Sequence, residues 1–180
     1  MSRTTSLIAC ALSAICLACG DSEGDEHGDH AHDTESLKAT LSAKSGNTTL
    51  QGTATFSGEP GKVQVKVDLT GIGAAGEHGV HIHETGDCSA DDAMSAGAHW
   101  NPTSQMHGHL GETAHLGDIG NLTAKADGTG SITASNPLWE LTGSGPNSLK
   151  GKAIIVHAMP DDFSQPAGNA GGRIGCGVIE

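Results

Sequence analysis

Positive charge is scarce in this chain: 9 Lys and Arg stand against 21 Asp and Glu, a formal net charge of −12 over 180 residues. Such a balance repels phosphate backbones and excludes nucleic-acid binding as a function class. Aromatic residues are scarcer still, with two Phe, two Trp and no Tyr. They leave no obvious sticky patch, so a homodimer and a monomer both stay open. No segment carries a 3.6-residue apolar period, which argues against a helical bundle. The 27 glycines show no three-residue repeat, which excludes a collagen-like chain. The longest apolar run, Leu7 to Ala18, falls short of the ~20 residues that span a bilayer. Histidine, by contrast, is abundant: there are eleven.

The start of the chain reads as a targeting segment. Arg3 precedes the apolar run, as in the leader of an exported protein. Leu17-Ala18-Cys19-Gly20 resembles a bacterial lipoprotein cleavage box, so residues 1–18 are expected to be removed and Cys19 lipidated. A plain signal peptide cleaved nearby also fits. Both readings predict export to the periplasm or cell envelope, and the first anchors the chain to a membrane without spanning it. Residues 19–36 follow as an acidic tether with His27, His30 and His32 but no Lys or Arg. Nothing in it can bury a core, so a solvated linker is expected, one that can also bind metal weakly.

From residue 37 to 180 the pattern is that of one β domain. Leu37, Ala39, Leu41 and Ala43 alternate with polar residues, as do Val63, Val65, Val67 and Leu69. Asp127-Gly128 marks a hairpin turn between Ala124-Lys125-Ala126 and Ile132-Thr133-Ala134. Residues 154–156 and 174–179 read as buried strands. An all-β sandwich or barrel follows. One stretch, about 85–117, lacks any strand period and is too long for an idle loop. It carries Cys88, His99, His107, His109 and His115, and is expected to be organised by metal. Beyond Cys19, Cys88 and Cys176 are the only cysteines, and an oxidising envelope predicts a disulfide between them.

His81-Ile82-His83 lies in a predicted strand, so both imidazoles share one face while Val80 and Ile82 take the other. Downstream come His99, His107, His115, Asp118 and His157. Imidazole suits copper and zinc, and three imidazoles with one carboxylate still permit tetrahedral zinc.

The segments HGVHIHETGDC (78–88), AGAHWNP (96–102), HLGDIGNLTA (115–124), VHAMPDD (156–162) and GNAGGRIGCGVI (168–179) together closely resemble the copper/zinc superoxide dismutase family. The resemblance implies an eight-stranded Greek-key β-barrel with a long metal-binding loop, holding one copper and one zinc ion per subunit. It makes His81, His83, His99 and His157 the copper ligands, and His99, His107, His115 and Asp118 the zinc ligands. His99 would bridge the two ions and serve catalysis. Asp161 would tie imidazoles of the two sites together, and Cys88 and Cys176 would be the family disulfide. His78 matches a structural position; His109 has no counterpart and is expected to be solvent-exposed.

Arg173 is the only Arg after the leader, and the resemblance makes it the cation that guides an anionic substrate. Residues 37–180 carry a formal charge of −6, so that anion needs a local positive field. The substrate implied is superoxide, converted to dioxygen and hydrogen peroxide, with His99 released and reprotonated between the two half-reactions. The loop after Asp162 is shorter than in many members, which leaves Arg173 to act nearly alone. The alternative is an envelope copper/zinc-binding buffer or chaperone on the same scaffold.

Overall fold

The computed structural model describes residues 35–47 and 49–180. The leader, Cys19 and the tether as far as residue 34 lie outside the described residues. Among the described residues no helix is long and apolar enough to cross a membrane.

Eight strands form the domain. β1 (Ser36–Ala43), β2 (Gln51–Glu59) and β3 (Lys62–Thr70) are consecutive antiparallel neighbours. β4 (Gly76–His83), β5 (Asp118–Ala124) and β6 (Gly130–Asn136) follow, then β7 (Ala153–His157) and β8 (Arg173–Val178). The strands close into a barrel in the order β1-β2-β3-β6-β5-β4-β7-β8, with β8 returning to β1. Because β3 pairs with β6 and β4 with β7, the connections β3 to β4 and β6 to β7 each pass over two strands, as in a Greek key. β1 begins one residue before the boundary read from the sequence.

Alternation puts Leu37, Ala39 and Leu41 of β1 and Val65 and Val67 of β3 inside, as period-two reading expects. The predicted hairpin is present: Asp127 Oδ1 accepts from the Thr129 N–H at 2.9 Å, and Gly128 sits at φ 77° where a Cβ is disfavoured. β2 escapes sequence reading because Thr and Gly dilute its apolar signal, although Ala54 and Phe56 are fully buried.

The connection from β4 to β5, residues 84–117, contains one regular element, a 3₁₀ turn at Met94–Ala96. Trp100 and Leu116 pack into the core and Ala93 and Ala96 against Ile155, and specific ties hold the rest. The Cys88–Cys176 disulfide joins it to β8. Lys44 Nζ donates to the Cys88 carbonyl at 2.6 Å. The Trp100 N–H donates to the Ile82 carbonyl, and the Ile82 N–H to that of Gly117, at 2.9 and 2.8 Å. These ties lay both arms of the loop against β4.

Candidate metal centre

β4 runs between β5 and β7, and two pairings around this place, β4–β5 and β7–β8, carry an irregularity at a histidine. The β4–β5 register shifts between Val80 and His81, and the β7–β8 register between Val156 and His157. A bulge re-aims the side chain beside it. His81, His83 and His157 thereby come to one place and are all buried. His99 reaches them from the loop through an isolated bridge to His83.

Two donor groups result, and His99 belongs to both. His81, His83, His99 and His157 offer nitrogens within 4.8 Å of one another, as do His99, His107 and His115 with an Asp118 oxygen. In the second group the Nδ1 atoms of His99, His107 and His115 lie 3.0, 3.0 and 3.1 Å from Asp118 Oδ1. A tetrahedron with bonds of 2.0–2.1 Å has edges of about 3.3 Å. Asp118 Oδ2 is occupied separately, accepting from the Gly108 and His115 N–H groups at 3.1 and 3.0 Å. Since His99 turns Nδ1 to Asp118, Nε2 is the nitrogen it has for the first group.

The fit to metal rests on what these atoms lack. His81 Nδ1, His83 Nε2, His107 Nδ1 and His157 Nε2 are buried without a hydrogen-bond partner. One such orphan costs about 1–3 kcal/mol, and four close together are a donor set that cations could satisfy. The opposite ring nitrogens are all engaged. His81 Nε2 donates to Asp161 Oδ2 at 2.8 Å and His107 Nε2 to Asp161 Oδ1 at 2.9 Å. His83 Nδ1 donates to the Gly97 carbonyl at 2.9 Å and His157 Nδ1 to that of Gly171 at 3.1 Å. Each ring thus has its tautomer and orientation set from behind.

Electrostatics agree. Burial pushes the His83 imidazole down to about 2 and His157 to about 3, against the ordinary 6.5. Burial likewise lowers His81, with the Asp161 hydrogen bond opposing. All three present neutral lone pairs at pH 7, the form that binds metal. Burial would raise the carboxyls of Asp118 and Asp161, but hydrogen bonds from His99, and from His81 and His107, hold them below their usual range.

Asp161 touches both groups, and Asn121 of β5 fixes it: Asn121 Oδ1 accepts from the Asp161 N–H at 2.7 Å and Nδ2 donates to its carbonyl at 2.9 Å. An amide in place of the carboxylate can accept from only one of the two rings. Asp161→Asn is therefore expected to weaken metal binding about 10- to 100-fold, read by competition with a chromophoric chelator. Unchanged affinity at both groups would contradict the linking role.

His99 and Arg173 line a cleft of about 1270 Å³ over the first group. The Arg173 guanidinium donates to the carbonyls of Ala93 and Gly97, both at 2.7 Å, and Ala93 holds φ 55° to present its oxygen. Gly97 O therefore serves His83 and Arg173 together. Lys152 lines the same cleft, as do Glu84 and Asp92, so Arg173 is not its only charge. Of the remaining histidines, buried His78 bridges the carbonyls of His157 and Ala74. His109 is exposed, yet its ring stacks on Phe163 at 3.6 Å.

A family model described as copper/zinc superoxide dismutase matches residues 50–179. The chain belongs to that family. Among solved structures, a protein described as the clock protein EA4 is 35% identical, with a TM-score of 0.71 over 81% of this chain and 94% of that one. A double mutant of a SOD-like protein from Bacillus subtilis is 30% identical, with a TM-score of 0.68 over 78% and 95%. One is described as a clock protein and the other as SOD-like, so these likenesses carry the copper/zinc superoxide dismutase scaffold and not an activity. Sequence reading singled out the residues that the structure gathers into two groups. It missed the partners behind them, Gly97, Gly171 and Asn121, because a backbone carbonyl leaves no mark in composition and an isolated Asn has many uses.

Proposed function

We propose that the protein dismutates superoxide, two superoxide anions and two protons giving dioxygen and hydrogen peroxide. The observation that carries the reading is His99: one imidazole belongs to both donor groups and also forms part of the cleft wall. The all-nitrogen group suits copper, and the group of three nitrogens and one carboxylate suits zinc. A copper ion held by His81, His83, His99 and His157 would supply the one-electron chemistry, and zinc at His99, His107, His115 and Asp118 a fixed charge behind it.

The chain's own residues do the remainder. Arg173 draws the anion into the cleft: two of its guanidinium donors are spent on Ala93 and Gly97, and others of its five remain for an anion. His99 Nε2 holds one of the two protons the reaction consumes, at the cleft surface where reduced oxygen can take it. The second comes from water in the open cleft. Asp161, through His81 and His107, keeps the two donor groups in register.

Arg173→Ala is expected to lower kcat/KM about tenfold at low salt and to flatten its ionic-strength dependence, with metal content retained. An unaltered salt dependence would remove Arg173 from the steering role. The function itself is tested by metal analysis of the purified protein together with superoxide consumption, with and without cyanide. Loaded protein that turns over no superoxide would favour the buffer or chaperone reading. The leader supports an exported, envelope-located form anchored through Cys19.

A further inference from the structure

The segment from Asp161 to Gly168 grips the metal loop at a second point. Gln165 lies across the backbone of His107. The His107 N–H donates to Gln165 Oε1 at 3.1 Å, and Gln165 Nε2 donates to the His107 carbonyl at 2.7 Å. One side-chain amide thus pairs with both polar atoms of a ligand residue 58 positions away, as a neighbouring strand would. Asn121 does the same to Asp161.

The ring of His107 is held from the same segment. Phe163 lies nearly parallel to it at 6.5 Å, stacks on His109 at 3.6 Å, and donates its N–H to Asp161 Oδ1 at 2.8 Å. At Gly168, φ 73°, any Cβ would strike the Asp161 carboxylate and the His107 ring. The close approach of this segment therefore depends on that residue having no side chain.

We propose that Gln165 is a positioning residue for His107, and that its clasp sets how long zinc stays in the second group. The inference rests on the reading of that group as the zinc site. A bound ion leaves when ligands swing away one at a time. His107 lies in a loop without ladder pairing; the Gln165 amide binds the N–H and carbonyl of His107 itself, beside the tie of Gly108 to Asp118 Oδ2. The first group does not include His107 and meets the clasp only through Asp161 and the shared His99, so copper release should change less than zinc release.

The test uses protein loaded with copper and zinc, and protein carrying cobalt(II) in place of zinc, whose visible spectrum reports ligand geometry. Gln165→Ala is expected to speed zinc release to a chelator at least about tenfold and to alter the cobalt spectrum, with copper release changed much less. Gln165→Glu still accepts from the His107 N–H but cannot donate to its carbonyl, and should fall between. Gln165 is exposed, so neither substitution disturbs the core. Wild-type protein that binds neither zinc nor cobalt would overturn the zinc reading and the proposal with it. Wild-type protein that binds them while Gln165→Ala releases zinc at the same rate would overturn the clasp alone. Equal acceleration of copper and zinc release would also overturn it, since that means general loosening.

Discussion

Substituting both Cys88 and Cys176 with alanine is expected to lower the stability of the metal-free protein by about 4.6 kcal/mol. The figure follows from the 88-residue separation of the bonded cysteines, through the loop-closure entropy that the bond removes from the unfolded chain. For a domain of this size the loss corresponds to a fall in Tm of roughly 10–20 °C. The loss reaches the site as well. Residues 84–98 lack strand pairing apart from the 3₁₀ turn, yet they carry the Ala93 and Gly97 carbonyls that hold Arg173 and His83. Calorimetry of the metal-free double variant decides the matter, and a Tm within about 2 °C of the parent would refute the entropic account.

Acid is expected to destabilise the metal-free protein by a comparable amount, starting near pH 6.5. His83 and His157 titrate at the ordinary 6.5 when unfolded but, because burial penalises their charged forms, at about 2 and about 3 in the fold. Above pH 6.5 both states are neutral and the shifts contribute nothing. Below it the unfolded chain takes up two protons that the fold refuses, so stability falls as pH falls. At ~1.4 kcal/mol per proton per pH unit, the loss from pH 6.5 to 4.5 is about 5 kcal/mol. His81, lowered too, adds in the same direction. Asp118 and Asp161, held below 3.8, give up their contribution only at lower pH still. Denaturant titrations from pH 7.5 to 4.5 should show this slope. A flat profile would mean that the metal-free rings are hydrated.

Which parts of this molecule were legible beforehand follows from how each signal is written. β1 and β3 declare themselves because one face of each is uniformly apolar. β2 hides because only Ala54 and Phe56 of its inward residues are fully buried apolar groups. The clustered histidines stood out because imidazole in such numbers has few other uses, and the family resemblance sorted them with Asp118 into two groups. The bulges at His81 and His157 could not be read, since a register shift depends on two strands and is written in neither. Gln165 and Phe163 were passed over for a similar reason: an amide 58 residues from its partner has no spacing rule. His109 is exposed as expected, but its stacking on Phe163 has no antecedent in the sequence.

One backbone oxygen, that of Gly97, accepts from a ring of the first donor group and from the guanidinium at the cleft. The two cannot drift separately over generations. An insertion or deletion of a single residue before it would shift the support of His83 and Arg173 at one stroke. Length variation is therefore to be sought elsewhere in the loop, beyond Trp100, where a change would reach the second donor group first.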